Sequence, residues 1–423
     1  MRLGLSLATL ALLQVVLSLV IQLAVLRIVG VGSLTDAFVA AQAVPLVVFS
    51  IISVSLHGIW QPRMSILINE GAEWRKAQGI AQGQTLLVFG SVGMPLLLLS
   101  DLWLPLMFPG FDQVQVALCS KMTLPLIASA GLNCHSAIFI TALRARDRFI
   151  RGELVALLGN ALAIALIFVL VPVKGIHMAA WIIFTRALLV YILLYVLAER
   201  PLVAVRQAWS HRESWESLKP LIAGSSLYKT SPLVDRYWSS QASAGGVTLL
   251  NLAQSAMGVL ATVLERAICV PAAPELARLV QRRDYMGVRR AYRRCVLLIS
   301  LITALLAAGL VAIYSVWQPL FDIALNMPAP QAAEIWWICL ALLGYLHVAA
   351  AGTIVVAAFY AMGDTRTPLT IGVIGFFVGV LLKSVGFLQM GLIGLASASS
   401  LYYLCNMMFM CIFLEKKIDA NLS

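Results

Sequence analysis

Apolar runs of about 20 residues recur along the whole chain, separated by short polar turns. A run of that length crosses the hydrocarbon core of a bilayer as an α-helix, which also satisfies its own backbone hydrogen bonds there. The pattern predicts twelve spans: 4–26, 37–60, 83–104, 119–142, 153–173, 176–198, 219–242, 246–270, 295–317, 334–358, 368–388 and 391–414. The first follows Arg2, as a signal peptide would. It is too long for a signal h-region and lacks a small-x-small cleavage site, so it reads as a retained helix. The expected fold class is all-α, a polytopic membrane protein. Composition agrees: of 423 residues 61% are hydrophobic and 12% charged, with mean hydropathy +0.92. A soluble domain carries about 25% charge.

The net charge of +11 could suggest nucleic acid. In a membrane protein it points to cytoplasmic loops. If the N-terminus and every second loop share one side, that side holds 22 of the 30 Lys and Arg. The other side holds Arg27, Lys121 and Lys174, and Arg186, Lys229, Arg236, Arg266 and Lys383 lie within spans. Both termini are therefore expected in the cytoplasm, and the even span count is supported. The seven cysteines form no CxxC pair and read as small apolar packing residues.

The chain repeats itself. Residues 142–181, beginning ALRARDRFIRGE, resemble 358–397, beginning AFYAMGDTRTPL, with Asp147 paired to Asp364. GIWQPRMSIL (58–67) parallels CVPAAPELARL (269–279): a helix ends at proline and an amphipathic segment follows. Both offsets are near 212–217 residues. Two six-helix halves are expected, 1–198 and 219–423, joined by a cytoplasmic loop at 199–218. Six being even, the halves keep one topology, related by an axis along the membrane normal.

RIVGVGSLTDAFVAAQAVPLVVFSI resembles the first helical hairpin of the MurJ/MviN family of lipid II flippases. AFYAMGDTRTPL resembles that family's loop before its eleventh helix, and 224–279 is similar to the wider MOP superfamily, which includes polysaccharide flippases and MATE drug exporters. The resemblance implies a MATE/MOP-type fold of two pseudo-symmetric lobes around a central cavity. The family has fourteen helices and cavity arginines on its second and eighth. Here twelve spans are expected, and Phe49 and Ser255 stand at the arginine positions. SVSLHG replaces an acidic-Gly turn. A related lipid-linked glycan is thus as good a cargo as lipid II.

The seventh span, in SSLYKTSPLVDRYWSSQASAG, carries Lys229, Asp235 and Arg236. Each charge near mid-bilayer costs about 2.5–3.5 kcal/mol on insertion scales, so this helix cannot face lipid all round. Lys229 and Arg236 are seven apart, on one face and about 10 Å apart along the axis. Pro232 between them frees the Tyr228 carbonyl and bends the helix. Neighbouring residues point about 100° apart, so Asp235 alone does not neutralise both cations.

A lipid-linked sugar presents a pyrophosphate, a glycan and a polyprenyl tail. Its headgroup needs cations and a wet, hydrogen-bonding cavity. Lys229, Arg236 and mid-span Arg186 are the expected cations, facing the space between the lobes. Gln42, Asn133, Asn160, Asn251, Gln254 and Ser255 are polar lining candidates, although such residues often bond between helices instead. Asp235, Asp36 and Arg27 are further polar or coupling candidates; Asp36 also suits a helix N-terminus with Arg27 as partner, and Arg27 and Lys383 suit snorkelling. Glu265 and Arg266 read as an inner gate or as interface anchors. The scattered histidines have no metal spacing, leaving His135 or His347 as a weaker proton-relay reading. GVIGFFVG (372–379) is small-residue helix packing. RLVQRRDYMGVRRAYRR (278–294) is expected as an amphipathic helix on the anionic inner leaflet.

There is no nucleotide loop, metal cluster or nucleophile triad, so no enzyme, cofactor or metal is expected. The leading expectation is a flippase for a polyprenyl-pyrophosphate glycan in the bacterial inner membrane. Its expected partners are that glycan lipid, anionic phospholipids and glycan-assembly enzymes, not nucleic acid. The alternatives are a MATE-like cation-coupled drug exporter and an inactive scaffold in envelope assembly. A preponderance of basic over acidic mid-span charge favours an anionic cargo.

Overall fold

The computed structural model describes residues 2–71, 73–199 and 202–422, with side chains throughout except at 2–8, 11, 225, 227 and 228. Of the basic residues counted above, the side chain of Arg2 and all of Arg200 lie outside the described residues. Helices and their connections make up the described residues, with no strand among them. By contact the chain divides into two compact units, Met1–Val247 and Thr248–Ser423.

Unit 1 holds α1 (Arg2–Val29), α2 (Ser33–Asn69), α3 (Trp74–Val88), a π-turn at Phe89–Gly93, α4 (Met94–Leu98), α5 (Ser100–Met107), α6 (Gln113–Ala145), α7 (Phe149–Lys174), α8 (His177–Leu197), α9 (Val205–Ser210) and α10 (Arg212–Ser239). Helix α2 lies along α6 and α10, α1 along α7, and α8 along α6 and α7. Ala37, Ala40 and Ala41 are fully buried on α2, and such small residues let helix backbones approach closely. Helix α9 docks on α3 because α3 lacks side chains there. The Ala204 amide donates to the Gly79 carbonyl at 3.0 Å. A Cβ at Gly79 would sit 2.4 Å from the Leu202 carbonyl oxygen, and one at Gly83 2.6 Å from Ala208 Cβ.

Unit 2 holds α11 (Gly246–Leu264), a π-turn at Glu265–Cys269, α12 (Val270–Gln281), α13 (Tyr285–Ala312), α14 (Tyr314–Leu325), α15 (Ala329–Ala341), α16 (Leu343–Ala361) and α17 (Arg366–Leu422). Helix α16 is its centre, packed on α12, α13 and α17, with Ile354, Val355, Ala358 and Phe359 fully buried.

Ten helices among the described residues are long and apolar enough to cross a membrane. The sequence predicts twelve, and two features account for the difference. Helix α17 bends at Met390 (φ −134°) and Gly391 (φ 59°), so it carries the expected eleventh and twelfth spans. The expected seventh lies on α10, whose charges keep it out of the apolar class.

Three local expectations change. Helix α2 does not end at proline: it runs through Pro45 and Pro62 to Asn69. The carbonyl that Pro62 would crowd belongs to Gly58, which meets nothing within 4 Å at its Cβ position, so the turn has room. Residues 278–294 are not one helix. Helix α12 stops at Gln281, the left-handed Arg283 (φ 57°) turns the chain, and the Asp284 side chain accepts the Gly287 amide to start α13. A good N-cap here outweighs the amphipathic pattern. The pairing of Asp147 with Asp364 slips by one: the left-handed residue that ends the helix is Asp147 in one half and Gly363 in the other.

That comparison extends along the chain. The left-handed residues Gly30, Gly71, Asp147 and Gly175 recur 212 to 216 positions later as Gly245, Arg283, Gly363 and Gly391. The stops repeat even where the residue types do not.

The docking of α9 gives a stability prediction. Gly79→Val or Gly83→Val overpacks the α3–α9 contact, at a cost of about 1–3 kcal/mol. Gly58→Ala meets open space and gains helix propensity. Thermal melting of the detergent-purified chain checks this: both valine variants melt below wild type and Gly58→Ala at or above it.

Candidate functional site

The three charges of the expected seventh span are held within unit 1. Helix α10 runs through Pro220 and Pro232 without a break. One turn from its end, Asp235 is 4% and Arg236 8% exposed. Helix α2 brings Asp36, 3% exposed, to the same place, and both acids act electrostatically on the Arg236 guanidinium. Asp36 stands in the first turn of α2, where a carboxylate complements the helix dipole, and it also reaches beyond its own helix. Its carboxylate accepts the Gly245 amide at 2.6 Å, while the Thr35 hydroxyl accepts the Gly32 amide at the start of α2. Arg236 is thus under the influence of an adjacent acid and of an acid from another helix.

Lys229 is different. Its Nζ donates to the Ser50 carbonyl of α2 at 3.3 Å, and its side chain is half-buried. A carbonyl leaves the ammonium charge uncompensated.

The other expected residues scatter. Arg186 packs on α8 beside Gly159 of α7, and its Nε finds no partner. Arg27 is exposed in the last turn of α1, where a cation complements the helix dipole. Gln42 donates to the Phe38 carbonyl of its own helix at 3.1 Å, Asn133 is exposed, and Asn160 is buried on α7. Asn251, Gln254 and Ser255 sit half-buried on α11 in unit 2, and Glu265 and Arg266 begin its π-turn. Lys383 does not snorkel: it is 2% exposed, on a face of α17 where Gly379 meets the Tyr402 ring.

Sequence reasoning missed the ion clamps at the arginine-rich ends. In unit 1, Glu199 (φ 67°) takes Arg75 at 2.5 Å, Arg146, and Arg148 at 3.6 Å. The Arg146 and Arg75 guanidiniums hold its carboxyl below the ordinary range. In unit 2, Arg289 and Arg293 of α13 meet Glu415 at 2.7 and 2.8 Å, and Arg289 also binds Asp419. Asp364 accepts from Lys417 Nζ at 2.7 Å and from the Thr367 amide. The Lys417 ammonium, with those amide and hydroxyl donors, holds its carboxyl down to about 2. Its contribution to stability is present above the ordinary aspartate value and is lost only as pH falls toward about 2. The clamp therefore stays closed at physiological pH. Spacing gave no sign of these pairs, whose partners lie 50 to 130 residues apart.

Comparison with known proteins places this geometry. The family model for the lipid II flippase MurJ matches residues 25–422. A solved lipid II flippase MurJ in an inward closed conformation superposes with TM-score 0.81 at 14% identity, covering 97% of this chain and 87% of that one. An inward-facing MATE multidrug transporter of the MOP superfamily gives 0.78 at 15% identity, covering 96% and 95%. A MOP superfamily transporter from Pyrococcus furiosus, described as having a binding pocket of reverse polarity, gives 0.68 at 15%, covering 99% and 96%. No curated protein matches the sequence. The likeness to solved structures establishes an all-α, multi-pass membrane fold.

The Arg236 cluster predicts a compensation. Removing one partner of a buried charge set leaves an uncompensated charge and costs about 3–5 kcal/mol. Arg236→Met should therefore lower the melting temperature, and adding Asp36→Asn should restore part of the loss. Additive losses in the double variant would separate the two residues energetically.

Proposed function

The chain belongs to the MurJ lipid II flippase family, and from that premise we propose that it carries a polyprenyl-pyrophosphate-linked glycan across the bacterial cytoplasmic membrane by alternating access. It is a transporter, not an enzyme. The family match over residues 25–422 carries this reading. The cargo is lipid II or a surface-polysaccharide unit of the same chemistry.

The working division is a lobe at 1–198, a cytoplasmic connection at 199–218 and a lobe at 219–423, with both termini in the cytoplasm. The excess of Lys and Arg on alternate loops supports that orientation. Rocking of two lobes of like topology about a central site is the ordinary way such repeats move a solute.

Lys229 and Arg236 supply charge for the pyrophosphate. Lys229, whose partner among the described residues is a carbonyl, offers its charge first. Arg236 exchanges its acids for phosphate oxygens as the headgroup arrives and takes them back as it leaves. Charge-assisted hydrogen bonds to phosphate are strong enough to drive that exchange, and the waiting acids make it reversible. Arg186, Gln42, Asn133, Asn251, Gln254 and Ser255 remain polar lining in this proposal, with Glu265 and Arg266 as an inner gate. Arginines at the loop ends meet anionic phospholipid, and glycan-assembly enzymes deliver the cargo.

The two buried acids, Asp36 and Asp235, favour a second reading. If either is a coupling carboxylate, the chain is a cation-coupled exporter like its MATE structural neighbours.

Complementation of glycan export, normalised to membrane protein level, tests both. Lys229→Arg should retain export and Lys229→Met should lose most of it. Asp235→Asn should do less harm than Lys229→Met; complete loss with Asp235→Asn favours the exporter. Full export by the Lys229→Met, Arg236→Leu double variant would falsify the role of the cations.

A further inference from the structure

Unit 2 contains a crevice that the transport reading does not use. It lies between α13 and the second arm of α17 and has a volume of about 600 Å³. Arg289 binds Asp419 and Glu415, and Arg293, one turn further along α13, binds Glu415. Higher numbers on α13 thus meet lower numbers on α17, so the two helices run antiparallel.

The lining is sorted along that axis. Arg293, Glu415, Lys416 and Asp419 stand at one end, and Val296, Leu297, Cys411 and Ile412 at the other. From Arg293 to Ser300, the last lining residue of α13, the helix rises about 10 Å. The change of character falls at the edges of the expected spans 295–317 and 391–414. The crevice therefore leads from the charged end of unit 2 into the apolar zone of the bilayer. Its walls are open there, with Leu297 61% and Ile412 42% exposed.

Charge selects the headgroup. Glu415 and Asp419 are already bound by Arg289 and Arg293. Lys416 belongs to no ion pair among the described residues, and its ammonium lies 5.8 Å from the centre of the Phe413 ring. Three cations thus stand with two acids, and the rim keeps one positive charge. Arg293 gives its Nε–H to Glu415, so its terminal nitrogens remain for phosphate oxygens. A small anion would leave the apolar half empty, and a neutral chain would leave the charge unmet. A molecule with both parts, ordered as in a bilayer, matches the crevice from end to end.

We propose that this crevice binds one anionic phospholipid of the adjoining leaflet, with its phosphate on Lys416 and Arg293 and an acyl chain along Leu297 and Ile412. Bound there, the lipid bridges α13 and α17 beyond their salt bridges. The proposal rests on the part of the proposed function that gives the loop ends to anionic phospholipid, and it is independent of the cargo.

The test uses the full chain in phosphatidylcholine nanodiscs doped with phosphatidylglycerol that carries a diazirine on its acyl chain. Light should label residues within 296–300 and 411–412, read by mass spectrometry of peptides. A phosphatidylcholine probe with the same chain should label them less. Lys416→Gln should lower labelling by phosphatidylglycerol about fivefold, the effect of one cation near a membrane surface. Lys416 is exposed, so its loss leaves the packing intact. Arg290→Gln removes the same charge from α13 outside the crevice and should leave labelling unchanged. Transport plays no part in the readout, so failure here leaves the flippase reading standing. Three results overturn the proposal: no label in the crevice, equal labelling by the two probes, or Lys416→Gln and Arg290→Gln variants that label alike.

Discussion

A charge placed inside a bilayer must find a counter-charge or a hydrogen bond, and that demand organises unit 1. Arg236 meets it through the fields of Asp235, its own neighbour, and Asp36 from α2. This arrangement ties α10 to α2 near the end of each helix. The Ser50 carbonyl ties them again through Lys229. Helix α10 therefore packs into unit 1, where Arg236 meets two acids and Lys229 a backbone carbonyl. Pro232 does not interrupt it, and the charged residues on either side both reach α2.

A second constraint is where helices stop. Left-handed residues recur at nearly constant offsets in the two halves, although glycine, aspartate and arginine exchange places there. A helix end needs its last carbonyls satisfied, and a left-handed residue lets the following amides fold back on them. The Arg148 amide reaches the Leu143 carbonyl at 2.8 Å, and the Asp364 amide reaches that of Phe359 at 2.9 Å. Close to these turns, salt bridges tie distant segments: Glu199 collects three arginines, and Asp364 takes Lys417.

The fold was largely legible in the sequence because lipid admits few solutions. Long apolar runs must be helices, so the spans and their even spacing followed from hydropathy. The buried charges of α10 were legible as an anomaly, since their cost demanded a polar setting. Their partner was not. Asp36 was legible at the start of its helix, but only the three-dimensional path brings Gly245 and Arg236 to it. Lys383 looked like a snorkelling residue because position along a span says nothing about which face is covered. The glutamines of α3 drew no attention because they fall in the least apolar of the ten membrane-length helices, where hydropathy is low and side-chain direction decides burial.

Family membership points to movement of a lipid-linked precursor, and the proposed account gives the cations of α10 its headgroup. The most direct test reconstitutes the purified chain in liposomes with a fluorescent polyprenyl-pyrophosphate glycan and follows its appearance in the opposite leaflet. The account predicts protein-dependent flipping that inorganic pyrophosphate competes against and that Lys229→Met removes. Flipping no faster than in protein-free liposomes, for both a lipid II-like and a surface-polysaccharide headgroup, would contradict it.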